Sequence, residues 1–436
     1  MRARDLLLGA PVPRWLLPTL AVVVAAVTWL SSRTPLGGPY VTWPAVSQQW
    51  HETVWGAGAV LVAGAAFVGS LVPARRSALT PPLRARGGAT SVAALAIASG
   101  LWGMVGHAAG MTAGVVRAVL TASWGHMYLA DVAIGSLGVL VLGMMGSCAG
   151  QLVGHWLIAP LAGLVAAGVL ALPRLLALRP WALLQPVQQW HASVRFVLTG
   201  PTTVFTLVAM TAGALAVVWA TGWWRGGRGR PNGGDVAVLL VPVLLIGMAF
   251  VWRPEFYRVA DATPRVCQET HGIQICLHQA HAPSLDDAVA ATSALAEAGM
   301  GPLLQRVTDK TVADYTEPGP GEVLVDVRLR GRPETLLTQT MRQMFVGQIA
   351  EELVMNRCTR NPDRAAHAWA TSQVLTRTYL RHAGFVDLAV GMGGASSDTT
   401  ALTSWISGAS THELGQWTAR HRQDILTCQQ YPTQAP

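Results

Sequence analysis

Two nearly identical stretches place a histidine directly after a tryptophan: SQQWHETVW at residues 47–55 and VQQWHASVR at residues 187–195. The imidazoles of His51 and His191 are groups that bind a metal or haem and that carry protons. Trp50 and Trp190 suit the headgroup boundary of a bilayer, where the indole ring stays apolar and its N–H reaches water. The two copies are therefore either a pair of ligand sites or two caps at which helices enter a membrane.

Four further polar residues interrupt apolar runs: His107, His126, Asp131 and His155. Such groups are costly inside a bilayer, and there they mark cofactor, metal or proton sites. The histidines do not share a helical face at the spacing that a paired cofactor site needs. We therefore expect these side chains to lie near the membrane interface and to hold no cofactor.

A third group of histidines lies in CLHQAH, which supplies His278 and His281. Glu269 and His271 are expected across a hairpin from them, so one interpretation is a metal site. Exposed histidines that follow a strand are the commoner outcome, and we favour that interpretation.

Two other motifs lack residues that their chemistry needs. THELGQWTARH puts His412 on a helix, but Gln416 stands where the second zinc-binding histidine of a protease would be. GMGGASSD at 391–398 resembles a phosphate-binding loop but lacks its lysine. The simpler interpretation is a turn before a helix that Ser396 or Ser397 caps. The sequence thus predicts no catalytic residue, no metal centre and no cofactor.

The elements that carry these residues are strongly apolar. The 436-residue chain is 51% hydrophobic and 12% charged, whereas an average soluble domain has roughly 25% charged residues. These proportions indicate a membrane protein. The net charge is +8, and many of the arginines lie between apolar runs. Arginines in such positions indicate the orientation of membrane helices. We therefore expect no nucleic-acid partner.

Seven stretches are long and apolar enough to cross a bilayer, which takes about 20 helical residues. They lie near 15–31, 53–72, 90–110, 128–148, 154–173, 202–222 and 235–252. Arginines are enriched in the N-terminal segment and in the connections 73–90 and 223–234, which favours a cytoplasmic N-terminus. An odd number of spans then places everything after Trp252 outside the cell membrane.

The cysteines agree with that topology. Cys148 falls within a membrane helix, and the other four lie in the C-terminal region: Cys267, Cys276, Cys358 and Cys428. In RVCQETHGIQICLH, a two-residue turn at His271–Gly272 places Cys267 opposite Cys276 at a non-hydrogen-bonded pair, within disulfide reach. Cys358 would then pair with Cys428. Disulfides belong to oxidising compartments, so they agree with a C-terminal region outside the cell. The alternative is that these cysteines are unpaired, buried thiols.

Residues 254–436 are numerous enough to form a domain of their own. Ser284 and Asp287 predict a capping box for a helix at 285–299, and the alternation in 322–329 predicts a strand. Further helices are expected near 333–357, 362–382, 397–408 and 411–428. The predicted fold is an α-helical polytopic membrane bundle over 1–253, followed by a soluble α+β domain.

Several segments together resemble a known group of proteins. They are LVPARR at 71–76, LTGPTTVFTLVA at 198–209 and the external VCQETHGIQICLHQAH at 266–281. In outline the whole chain is similar to actinobacterial polytopic proteins described as ABC-transporter-associated permeases. The resemblance implies a membrane-spanning subunit that works with a separate ATP-binding-cassette ATPase.

Three functions follow as hypotheses. The first is a permease-like subunit of an ABC transporter or related complex, with an external domain that contacts a substrate or partner. The second is a membrane-anchored sensor, signalling or scaffold protein whose external domain binds a ligand or partner. The third is a membrane metalloenzyme. Expected partners are the lipid bilayer, the ATPase and further copies or subunits in an oligomer.

Overall fold

A computed structural model of the protein describes most of the chain. The described residues are 12–33, 36, 41–72, 87–122, 124–176, 183–185, 196–226, 233–252, 255–259, 264–312, 318–327, 337–355, 362–385 and 401–427. The chain divides into two compact units, which we call the membrane unit (residues 1–37 and 41–260) and the C-terminal unit (residues 38–40 and 261–436).

The membrane unit is built from apolar helices. They are α1 (Leu16–Arg33), α2 (Trp43–Glu52), α3 (Val54–Ser70), α4 (Gly87–Thr121), α5 (Leu129–Val153), α6 (Ile158–Leu176), α7 (Gly200–Gly226) and α8 (Gly233–Val251). Two short strands, β1 (Phe196–Leu198) and β2 (Tyr257–Val259), pair antiparallel. Helices suit these sequences because an α-helix satisfies its backbone hydrogen bonds internally, as a bilayer requires.

Five helical stretches among the described residues are long and apolar enough to cross a membrane. They are Leu16–Arg33, Trp43–Ser70, Val92–Thr121, Leu129–Val153 and Gly200–Trp224. The stretches inside α6 and α8 are shorter, at Ile158–Leu172 and Val238–Val251. Each of the seven predicted stretches is therefore helical, while the number that span a bilayer stays a prediction.

The third of these helices is longer than the sequence suggested. We predicted a span at 90–110, but α4 continues to Thr121 because no proline interrupts the residues after 110. His107, expected near the outer end of its span, therefore lies well inside α4, and Arg117 lies on the helix instead of in a connection.

Glycines let α5 approach α3 at the level of the backbone. A Cβ atom added at Gly146 would lie 2.5 Å from the carbonyl oxygen of Val62, and one at Gly150 would overlap the carbonyl oxygen of Ala66. Small residues at four-residue spacing permit such packing between membrane helices. The fit explains why this part of α5 reads GSCAG.

The same kind of contact joins α4 to its neighbours. A Cβ added at Gly143 of α5 would lie 2.7 Å from the Cα of Gly100, and one at Gly106 would overlap the carbonyl oxygen of Ala21 in α1. The helices α1, α3, α4 and α5 thus pack closely around a shared core that includes Val24, Leu61 and Val139.

The C-terminal unit contains a four-stranded mixed sheet. Its strands are β3 (Arg265–Thr270), β4 (Ile273–His278), β5 (Arg306–Asp309) and β6 (Glu322–Val325), in the spatial order β3-β4-β5-β6. The β3–β4 pair is antiparallel, and the β4–β5 and β5–β6 pairs are parallel. The predicted strand at 322–329 is correct in type but ends at Val325.

Helices share one hydrophobic core with this sheet. They are α9 (Leu285–Leu295), α10 (Leu337–Ala350), α11 (Pro362–His382), α12 (Ala401–Gly408), α13 (Thr411–Arg420) and α14 (Arg422–Thr427). Ile275 and Val307 of the sheet are fully buried in one core with Leu295, Phe345 and Tyr379 of the helices. Sheet and helices form two layers around one hydrophobic core, which is the arrangement expected of an α+β domain.

The predicted hairpin is confirmed. His271 (φ 52°) and Gly272 (φ 74°) form the turn, and Cys267 pairs in register with Cys276. The two cysteines form a disulfide with a Cα–Cα distance of 4.2 Å. The second predicted disulfide, Cys358 with Cys428, lies outside the described residues.

The predicted capping box at Ser284 and Asp287 is wrong. A 3₁₀ turn at Gln279–Ser284 precedes α9, and the Ser284 hydroxyl donates to the His281 carbonyl oxygen at 2.7 Å instead of capping the helix. A capping box occurs later, where Ser410 and Glu413 open α13. The predicted helix at 411–428 is interrupted at His421, between α13 and α14.

Candidate functional site

The membrane unit brings His51 and Asp131 together. Thr42 caps α2 by accepting a hydrogen bond from the Ala45 N–H, and this helix carries His51 in its last turn. Asp131 lies in the first turn of α5, where the helix dipole favours a carboxylate. His51 Nδ1 lies 3.9 Å from Asp131 Oδ1, and both side chains are buried. The distance allows an ion pair when the imidazole carries a proton.

His107 joins the same region from α4. Its Nδ1 lies 3.2 Å from Thr28 Oγ1, and its Nε2 lies 2.9 Å from the Trp50 carbonyl oxygen. The imidazole also packs edge-on against the Trp50 ring at 5.8 Å. Trp50 in turn donates from Nε1 to Ser136 Oγ at 3.0 Å. His107 and the half-buried Trp50 thus connect α1, α2, α4 and α5.

Glu52 follows His51 at the end of α2, and sequence reasoning did not single it out. Gln48 and Gln49 donate from their amide nitrogens to its two carboxylate oxygens, at 2.5 and 2.6 Å. Their spacing of four and three residues on one helix predicts such contacts. In the second QQWH copy Ala192 replaces the glutamate, so that copy lacks this carboxylate.

Tyr257 of β2 completes the group of titratable residues. Burial, followed by the negative charges of Asp131 and Glu52, raises the pKa of the Tyr257 hydroxyl above its ordinary value. We call His51, Glu52, His107, Asp131 and Tyr257 the membrane cluster. Within it, His51 and Asp131 are the imidazole and carboxylate that the structure places close together, at 3.9 Å.

The other predicted membrane histidines lie apart from this cluster. His126 precedes α5 and packs edge-on against Tyr128 at 5.2 Å. His155 precedes α6, is exposed, and accepts a hydrogen bond at Nδ1 from the Leu157 N–H. Trp190 and His191 lie outside the described residues.

A second polar group lies in the C-terminal unit, where His278 and His281 meet Asp309. His281 Nδ1 lies 2.5 Å from Asp309 Oδ2, which also accepts from the His278 backbone N–H at 3.2 Å. Asp309 Oδ1 accepts from the Thr311 N–H at 2.9 Å. The expectation of exposed histidines is wrong here: His278 and Asp309 are fully buried and His281 is 9% exposed.

The electrostatics of this group follow from burial and from the internal hydrogen bonds. Burial, and then the charge of His281, lowers the pKa of His278 to about 4, against the opposing influence of Asp309. Burial alone would raise the pKa of Asp309, but the hydrogen bond and charge of His281, with the bonds from Thr311, leave it below its ordinary value. The folded state thus favours a neutral His278 and an ionised Asp309.

Neither group is arranged as a metal centre. Among the residues that the structure describes, three or more side chains of histidine, cysteine, aspartate or glutamate do not converge as ligands. In the C-terminal unit, hydrogen bonds already occupy Asp309 and one nitrogen of each imidazole. His412, in the THELGQ stretch, contacts Gln416 at 2.9 Å.

Comparison of the chain with protein-family models, with curated proteins and with solved structures gives no match.

Proposed function

We propose that the chain is a permease-like transmembrane subunit of an ABC transporter or a related membrane complex, energised by a separate ATPase. In this proposal the C-terminal unit lies outside the membrane and contacts the substrate or a partner.

The buried His51–Asp131 pair is the observation that supports the proposal. Ionisable groups inside membrane bundles are rare because they are costly, and they mark the pathways of substrates, ions or protons. Gain or loss of a proton by either group changes the net charge of the pair. Such a change alters the energy of the bundle, so that it favours one helix arrangement over another.

The separate ATPase is part of the proposal because of the sequence. The chain carries no G-x-x-x-x-G-K-[ST] stretch, which is the usual phosphate-binding loop of an ATPase. The arginine-rich connections 73–90 and 223–234 are the proposed contact surface, since they face the cytoplasm in the predicted orientation.

Purification of the tagged full-length chain from membranes of its own host tests the proposal. We expect an ATPase to accompany the chain, and we expect the chain to increase its rate of ATP hydrolysis after reconstitution into nanodiscs. Asp131→Asn keeps the size of the side chain but removes its charge. This variant should still bind the ATPase and should lose most of the stimulation.

Asp286→Asn is the matched control, because Asp286 is exposed on α9 in the C-terminal unit. This variant should increase the rate of ATP hydrolysis by the ATPase as much as the unaltered chain does. A chain that purifies with no ATPase contradicts the proposal and favours the sensor or scaffold hypothesis. Stimulation that survives Asp131→Asn contradicts the assignment of the His51–Asp131 pair.

A further inference from the structure

The 3₁₀ turn at Gln279–Ser284 is held by two imidazoles and one carboxylate. His278 caps the turn, since its Nδ1 accepts a hydrogen bond from the Ala280 N–H at 3.0 Å. Asp309, at the end of β5, binds both the His278 backbone and the His281 side chain. The turn therefore depends on groups whose protonation changes with pH.

A proton on His278 Nδ1 is incompatible with the cap. A ring nitrogen accepts a hydrogen bond only while it carries no proton, so protonation breaks the bond to Ala280. It also places a positive charge in a fully buried side chain whose ring centre lies 6.1 Å from that of His281. Both effects favour an arrangement in which the turn has opened and the imidazole reaches water.

The charged groups of the neighbouring elements leave this conclusion unchanged. His281 and Asp309 are the groups whose charges act on His278. Arg265, opposite His278 in β3, is exposed. The first turn of α9 carries two acidic residues, and Asp286 is exposed. Burial raises the pKa of Asp287, and the charge of Arg342 opposes that rise.

The pH window follows from the pKa of His278. In the opened turn the imidazole takes its ordinary pKa of 6.5, whereas in the closed turn burial lowers the pKa to about 4. Between these values the opened form binds more protons, so the stability of the closed turn falls as the pH falls. Asp309, with its lowered pKa, adds a loss of stability only at still lower pH.

We propose that His278, His281 and Asp309 form an acid-sensitive switch that keeps the 279–284 turn closed near neutral pH and releases it on acidification. The turn joins β4 to α9, so its release frees the start of the helix that packs on the sheet. This proposal is independent of any ATPase partner.

Hydrogen exchange of the full-length chain, measured by mass spectrometry and corrected for the intrinsic pH dependence of exchange, tests the switch. Protection of the amides in 279–284 should fall by about tenfold for each pH unit between pH 6 and pH 4.5. In His278→Asn the side-chain oxygen can replace Nδ1 as the cap acceptor but does not titrate. Its protection should stay nearly constant over the same range.

His412→Gln is the control, since His412 is exposed on α13, and its profile should match that of the unaltered chain. Flat protection in the unaltered chain, or an equal fall in His278→Asn, would overturn the proposal. If His278→Asn does not fold, the imidazole resonances of His278 in the unaltered chain decide. A titration midpoint below pH 5 supports the switch, and a midpoint near pH 6.5 with the turn still protected excludes it.

Discussion

His107 is held by both nitrogens of its ring. The Trp50 carbonyl oxygen only accepts hydrogen bonds, so Nε2 of His107 carries the proton and Nδ1 accepts from the Thr28 hydroxyl. We predict that His107→Ala lowers the free energy of unfolding of the membrane unit by about 1–3 kcal/mol, because it removes both bonds in an apolar site. Thermal unfolding of the full-length chain in detergent, followed by tryptophan fluorescence, measures this change.

His155→Ala is the control for that measurement, since His155 is exposed and lies before α6. We expect a change within about 0.5 kcal/mol. If both variants lowered the free energy of unfolding equally, the hydrogen bonds of His107 would not stabilise the helices.

Sequence reasoning identified the costly polar residues but not their partners. His107 and Asp131 were recognisable because each interrupts an apolar run, and His51 because it belongs to the repeated QQWH motif. Their proximity depends on how α2 packs against α4 and α5, which no local pattern specifies. Asp309 was missed because RVTDK resembles any strand that ends in polar residues, whereas Glu52 had a usable signal in its spacing from the two preceding glutamines.

At the scale of the helices, the α3–α5 contact is the most sensitive to side-chain size. We predict that Gly150→Ala lowers the melting temperature of the membrane unit clearly, because the added methyl group overlaps the carbonyl oxygen of Ala66. The cost should be about 1–3 kcal/mol, as for other overpacked cores. Differential scanning fluorimetry in detergent gives the shift.

Gly168→Ala provides the matched comparison, because a Cβ at Gly168 in α6 meets no atom within 4 Å. Alanine also has the higher helix propensity, so this variant should be as stable as the unaltered chain or slightly more stable. If Gly150→Ala lowered the melting temperature less than Gly168→Ala, the result would contradict the packing described for α5.

Local chemistry predicted some elements better than others. The helix at 362–382 was predicted from Pro362 onward and is observed with the same limits. The Cys267–Cys276 register followed from the positive-φ turn at His271–Gly272. The capping box at Ser284 failed because the preceding 3₁₀ turn uses the serine hydroxyl, and that turn is stabilised by Asp309, which is distant in sequence.

At the scale of the whole molecule, the proposed topology places the C-terminal unit outside the cell. We predict that protease added to intact spheroplasts removes this unit and a tag at its end, while a cytoplasmic marker protein survives. The Cys267–Cys276 disulfide agrees with that side, because disulfides persist in oxidising compartments. Immunoblotting for the tag provides the readout.

Inverted membrane vesicles supply the complementary experiment, in which the C-terminal unit should be protected. Cleavage in inverted vesicles with protection in spheroplasts would reverse the orientation. Composition and hydropathy predicted a helical membrane bundle followed by a smaller region with a sheet. The described residues include five helices long and apolar enough to cross a membrane, followed by a region with a four-stranded sheet. Composition and hydropathy did not distinguish the five long apolar stretches from the two shorter ones, because the position at which each helix begins depends on its packing.

The backbone contacts of α5 have a mechanical consequence. Gly143 and Gly146 bring α5 against α4 and α3 with no side chain between the helices, so one of the three cannot slide or rotate until their backbones separate. We therefore expect these three helices to move together. Among the described side chains of helix α8 most are exposed, and a Cβ added at its Gly247 would meet no atom within 4 Å. If the bundle changes conformation, we expect the hinge to lie outside α3, α4 and α5. The distance between His51 of α2 and Asp131 of α5 would then change, because the two residues lie on either side of that boundary.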